Sequence, residues 1–178
     1  MESDISGVLL TKKQIEKKVA ELGEQITKDY EGKELVAVCI LRGSVVFFAD
    51  LIRQIGLPMN IDFMAISSYG ASSVSDGSVQ IKYDLADDIK DKHVLIVEDI
   101  IDTGYTLKSL KKLLLARKPA SFEICCLLNK PDRREVDVDV KYVGFDIPDE
   151  FVVGYGLDYA SKYRNYDSVG VLKREVYE

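Results

Sequence analysis

Apolar and polar positions recur along this chain at two periods, and the switches between them predict an order of strands and helices. Ile15, Val19, Leu22 and Ile26 fall at helical spacing, which predicts a helix over residues 11–29. Thr11 and Gln14 have the spacing of a capping box at its start, and Gly32 stops it. Leu35–Leu41 is an unbroken apolar run of strand length, expected for a strand buried on both faces. The turn Arg42-Gly43-Ser44 follows, and then an apolar helical stretch over residues 45–55. Residues 60–67 and 78–84 read as strands, the second from the alternation of Val79, Ile81 and Tyr83. Residues 94–97 form another unbroken apolar strand, and Leu107, Leu110, Leu113 and Leu114 give the next helix its apolar face, with Pro119 ending it. Strands are expected again at 122–128, at 136–140 (where valines alternate with acids) and at Val169–Leu172. Alternating strands and helices imply an α/β fold with a mostly parallel sheet flanked by helices. No repeat, low-complexity tract or linker divides the chain, so a single domain over 1–178 is expected.

Chemistry concentrates after the apolar run at 94–97. That run ends on two adjacent carboxylates, Glu98 and Asp99, and Ile100-Ile101 leads to Asp102-Thr103-Gly104-Tyr105-Thr106, where a helical pattern begins. In open α/β sheets, ligands sit outside the carboxyl ends of such strands. Unpaired N–H groups at a helix start attract anions, Gly104 permits close backbone approach, and Thr103 and Thr106 add hydroxyls. A phosphate suits that turn. Glu98 and Asp99 only accept hydrogen bonds when ionised, so they suit sugar hydroxyls or a hard cation. Together these features describe a phosphorylated ribose. Taken alone, an acidic pair after a strand is as well explained by solvated acids before a capped helix. The Arg42-Gly43 turn between strand and helix has a second anion-binding geometry, weak by itself. Residues 67–77 are small and polar, as expected of a mobile loop or a long hairpin tip. His93, the only histidine, is read as a strand-edge residue rather than a catalyst.

Totals narrow the partners. The net charge is −6 with no Lys/Arg block, which disfavours a nucleic-acid partner. No apolar run approaches the ~18 residues needed to span a bilayer, and the acidic start lacks a signal-peptide core. The three cysteines, Cys39, Cys125 and Cys126, lie within apolar runs without metal or redox spacing, as core thiols of a cytoplasmic protein would. No G-x-G-x-x-G follows a strand, so a dinucleotide site is not supported.

The stretch VLIVEDIIDTGYTL resembles the signature of the type I phosphoribosyltransferases, close to their 6-oxopurine branch. The run from Tyr142 to Tyr159 also resembles that branch, and the likeness extends over nearly the whole chain. It implies the type I phosphoribosyltransferase fold with a small hood built from terminal segments. The implied activity is transfer of the phosphoribosyl group of 5-phosphoribosyl 1-pyrophosphate to hypoxanthine, with guanine left open as a second base. By the same resemblance Glu98, Asp99, Asp102, Thr103, Gly104, Tyr105 and Thr106 bind the phosphoribosyl group. Asp102 is the catalytic residue, acting through the purine imidazole edge. Arg42, Gly43 and Arg164 meet the pyrophosphate, and the Leu41–Arg42 bond is the candidate for a cis peptide. Lys130 donates to the purine 6-oxygen, Phe151 stacks on the base, backbone at Val152 meets its far edge, and Asp158 lies beside it. Ser68 and Tyr69 belong to a lid. Magnesium is the implied cofactor, held by Glu98, Asp99 and Asp158 or bridging to them. A homodimer or homotetramer is implied, with no nucleic-acid or membrane partner. The chain carries Tyr105 and Arg42 where some relatives carry lysine, and Ser44 where some carry glycine. Two alternatives stand beside this reading: a non-catalytic RNA-binding regulator on the same fold, which the negative charge opposes, and a phospho-receiver domain, whose paired acids would sit near the start rather than past mid-chain.

Overall fold

The computed structural model of the protein describes residues 1–68 and 79–178. Strand β1 (Ile5–Leu10) precedes helix α1 (Lys12–Asp29), which is followed by β2 (Leu35–Leu41), α2 (Val45–Gln54), β3 (Asn60–Ser68) and β4 (Val79–Tyr83). Then come β5 (His93–Ile101), α3 (Tyr105–Leu115), β6 (Ser121–Asn129), β7 (Tyr142–Asp146), β8 (Val152–Val153), β9 (Val169–Leu172) and a terminal turn of helix, α4 (Arg174–Tyr177).

The main sheet has the order β4-β3-β2-β5-β6-β7. All its pairings are parallel except β3 with β4. β5 lies near the middle and is apolar on both faces for a reason its period makes plain. Leu95 and Val97 point into a core shared with α1 and α2, through Ile26, Phe47 and Leu51. Val94 and Ile96 point into a second core, with Leu110 and Leu114 of α3. Helices on both sides of a parallel sheet leave its strands no solvent face. The cysteines are buried thiols, as expected of core positions.

Thr11 caps α1 as its spacing predicts. Its hydroxyl accepts from Gln14 N–H at 3.4 Å, and the Gln14 side chain accepts from Thr11 N–H at 2.9 Å. His93 opens β5 at the amino edge of the sheet, its Nδ1 2.7 Å from Ser121 Oγ, away from the carboxyl edge where the acids lie. A smaller antiparallel sheet, β1-β9-β8, brings the chain's two terminal regions together beside the residues after β7, as a hood.

Two sequence expectations need correction. β5 does not end at the acidic pair; it continues through Glu98 and Asp99 to Ile101, because Ile100 and Ile101 still pair with β6. Residues 136–140 are not a strand. Their alternation is real, with Val138 buried and Glu135, Asp137 and Asp139 exposed. It records one-sided burial against the α3 core, while the N–H groups of Glu135 and Val136 go to the carbonyl of Thr103 instead of a neighbouring strand. β1, β7 and the two-residue β8 were not anticipated.

Candidate active site

Parallel register brings the carboxyl ends of β2, β5, β6 and β7 to one edge, and the candidate residues gather there. Glu98 and Asp99 are half-buried within β5. Removal from water pushes the Glu98 carboxyl well above its ordinary range, and the charge of adjacent Asp99 adds to this. Burial raises Asp99 as well; the Arg164 guanidinium opposes that rise and Asp158 adds to it. Asp99 Oδ1 accepts from Ile100 N–H at 2.7 Å, which leaves Oδ2 directed at the neighbouring turn. Two adjacent, desolvated acids held in this way favour a cation or hydroxyl donors beside them.

The turn after β5 has a divided backbone. Its carbonyls are taken by a strap formed by residues 130–136. Lys130 N–H donates to Ile101 O at 3.0 Å, Arg134 Nε to Asp102 O at 3.2 Å, and the N–H groups of Glu135 and Val136 to Thr103 O at 3.0 and 3.2 Å. The N–H groups of Thr103, Gly104, Tyr105 and Thr106 donate to no other described residue. Gly104 begins α3 at φ 93°, a left-handed conformation, and a Cβ there would come within 2.9 Å of Val136 O. The turn thus presents a row of donors with no partner among the described residues at a helix start, beside a cavity of about 170 Å³ lined by Glu98, Asp102, Thr103, Gly104 and Thr106. Tyr105 is partly exposed at the rim.

Asp102 carries an ion pair that no sequence spacing signals: Arg133 Nε donates to its Oδ1 at 2.9 Å. Arg133 Nη1 also lies 3.8 Å from Asp149 Oδ2, and Lys130 Nζ lies 3.5 Å from Asp149 Oδ1. Lys130 is buried despite its charge, and its ammonium donates to Glu150 O at 2.8 Å. Lys130, Arg133 and Asp149 join the Asp102 turn to the segment that carries Phe151 and Val152.

Phe151 is 38% exposed and Val152 is buried in β8. The Phe151 carbonyl accepts from Leu172 N–H at 2.8 Å, so the hood sets its backbone. Tyr177 stacks on the Phe151 ring at 4.7 Å, and Tyr159 meets it edge-on at 5.7 Å. Both tyrosines are site neighbours that the chain pattern did not suggest.

The turn after β2 meets β5 directly. The Leu41–Arg42 peptide is cis, as the resemblance implied. Gly43 packs so closely on Asp99 that a Cβ would fall 1.6 Å from Oδ2. The Gly43 carbonyl in turn faces Gly156, where a Cβ would fall 2.0 Å from it. That contact brings in the loop bearing Asp158 and Arg164. Arg164 donates to Gly156 O at 2.6 Å and pairs with Asp158 Oδ1 at 2.6 Å, and Asp158 Oδ2 accepts from Ser161 N–H at 2.8 Å. Arg42, Gly43, Asp99, Asp158 and Arg164 therefore form one neighbourhood, and Asp102, Lys130 and the Phe151 segment another, both at the same sheet edge. Among the described residues no group of three or more His, Cys, Asp or Glu side chains is arranged as a metal cage. Of the lid pair, Ser68 closes β3 and Tyr69 lies outside the described residues. No helix is long and apolar enough to cross a membrane, among the described residues.

Comparison with known proteins finds relatives along nearly the whole chain. The phosphoribosyl transferase domain matches residues 7–160. A hypoxanthine-guanine phosphoribosyltransferase of Staphylococcus aureus is 55% identical over 177 residues, covering 99% of this chain and 99% of its own length. A hypoxanthine phosphoribosyltransferase of Haemophilus influenzae is 56% identical over 171 residues, covering 94% and 96%. The crystal structure of a hypoxanthine phosphoribosyltransferase from Staphylococcus aureus superposes with a TM-score of 0.97 at 54% identity, covering 100% of this chain and 97% of that one.

Proposed function

The chain belongs to the phosphoribosyl transferase family, and from that premise we propose that it transfers the phosphoribosyl group of 5-phosphoribosyl 1-pyrophosphate to hypoxanthine, with guanine as a second acceptor. The observation that carries this is the turn after β5. Its amides donate to no other described residue, its carbonyls are occupied, and half-buried acids stand on one side with a buried lysine on the other. The 5-phosphate lies on the N–H groups and hydroxyls of 103–106, with Tyr105 contributing through its backbone. Glu98 and Asp99 hold the ribose hydroxyls.

Purine N9 bonds to the anomeric carbon as the bond from that carbon to the pyrophosphate oxygen breaks. The base loses its imidazole proton, which passes to the Asp102 carboxylate. Arg164 and the backbone at Arg42 and Gly43 receive charge on the departing pyrophosphate. Lys130 turns from Glu150 O to the purine 6-oxygen, Phe151 stacks on the base, and backbone at Val152 meets the far edge. Glu98, Asp99 and Asp158 carry carboxylate oxygens at this edge, hard donors of the kind that suits magnesium, which keeps several waters and substrate oxygens in its shell. Glu98, Asp99 and Asp158 are the residues that would hold it. When bound it neutralises phosphate charge. The enzyme works as one domain over 1–178, in the cytoplasm, as a homodimer or homotetramer.

A steady-state assay tests the reading: hypoxanthine, guanine, xanthine and adenine, each with 5-phosphoribosyl 1-pyrophosphate, with magnesium and with EDTA. Turnover of hypoxanthine that EDTA abolishes, and none of adenine, is expected. Equal turnover of adenine, or full turnover in excess EDTA, overturns it.

A further inference from the structure

The strap over the β5 turn does more than satisfy backbone groups. It brings Arg133 to Asp102, and Arg133 has no place in the chemistry described so far. We infer that Arg133 is a positioning residue for the reaction: it orients the Asp102 carboxylate so that one oxygen is tethered and the other is presented to the base.

The geometry carries this in three parts. First, the contact is one-sided. Nε of Arg133 takes only Oδ1 of Asp102, so Oδ2 keeps its lone pairs for an incoming proton. Second, both ends of the tether are anchored. Arg133 N–H donates to Lys130 O at 3.2 Å within the short helical turn Pro131–Arg133. Meanwhile Arg134 and the N–H groups of Glu135 and Val136 bind the carbonyls of Asp102 and Thr103. The backbones on the two sides of the ion pair thus hold a constant separation, so the side-chain contact directs the carboxylate instead of drifting with a loop. Third, the guanidinium also reaches Asp149, which faces Lys130. One ionic chain therefore runs from the proton acceptor to the lysine assigned to the 6-oxygen, and the two ends of the purine are met by groups that share Arg133.

An exposed ion pair of this kind contributes little to stability. Both partners are close to half exposed, at 47% and 45%. Its value lies in geometry, since catalytic groups lose rate steeply when misaligned. The inference rests on the reading of Asp102 as proton acceptor, and the experiment separates the two. Single-turnover nucleotide formation is measured at saturating substrates for the parent, Arg133→Gln, Asp102→Asn and the double variant, with melting temperature and 5-phosphoribosyl 1-pyrophosphate affinity alongside. Arg133→Gln is expected to slow the parent by about tenfold and the Asp102→Asn background by less than about twofold, because contacting residues that act as a unit are non-additive. Arg133→Lys recovers part of the loss, while melting temperature and phosphoribosyl affinity stay at parent values. An equal loss in both backgrounds, or no loss in the parent, overturns the inference. A near-parent rate for Asp102→Asn alone instead overturns the assignment of Asp102.

Discussion

Gly43→Ala tests whether the turn after β2 and the acid pair of β5 form one packed unit. The added Cβ would lie 1.6 Å from Asp99 Oδ2 and 2.7 Å from its Cγ. A normal contact is about 3.5 Å, so the carboxylate must retreat by about 2 Å or the turn must move by as much. Retreat breaks the bond from Ile100 N–H to Oδ1, made at 2.7 Å. Losing a hydrogen bond to a charged group costs about 1.5–3 kcal/mol, and leaving the rotamer well about 0.5–1.5 kcal/mol, about 2–4.5 kcal/mol in total. At about 2–4 °C per kcal/mol for a chain of this size, the melting temperature falls by about 4–18 °C. Because Asp99 is assigned to the ribose hydroxyls or their cation, 5-phosphoribosyl 1-pyrophosphate affinity falls too, by about tenfold or more. Calorimetric melting and titration calorimetry read the two effects. Gly7→Ala is the control: a Cβ there meets nothing within 4 Å, so stability should stay within about 0.5 kcal/mol of the parent. Should Gly43→Ala melt and bind like the control, the Gly43–Asp99 packing does not exist in the working protein.

Two further outcomes are expected. Glu98 has its carboxyl raised by burial and by Asp99, so between its unfolded and folded pKa values the folded chain holds the extra proton and stability falls as pH rises. Glu98→Gln removes that penalty, and in thermal melts of the ligand-free protein its advantage over the parent should grow from acid to pH 8; a difference constant with pH would contradict the burial. Lys130→Ala should weaken purine binding far more than phosphoribosyl binding, because the Lys130 ammonium reaches Glu150 O, while only its backbone, which alanine keeps, meets the turn after β5. Titration of both ligands decides this, and equal losses would remove Lys130 from the base pocket.

Local order determined much of what the chain revealed by itself. The apolar runs at β2, β5 and β6, the helical stripe of α1 with its Thr11–Gln14 cap, and the acidic pair before a hydroxyl-rich turn are all contiguous signals, legible because burial on a strand or a helix face repeats at a fixed period. Resemblance then supplied the proposed roles of Lys130, Phe151, Asp158 and Arg164; the lysine, the aspartate and the arginine each look like ordinary surface residues in isolation. Other features had no such signal. β8 is too short to show a period, and the alternation at 136–140 arises from one-sided packing that needs no ladder. The pairing of Asp102 with Arg133, the stack of Tyr177 on Phe151 and the fit of Gly43 against Asp99 each join segments distant in the chain. Only the tertiary structure decided these. Parallel strand register brings separate loops to one sheet edge, and which of their side chains meet depends on distances of a few ångströms that no spacing along the chain encodes.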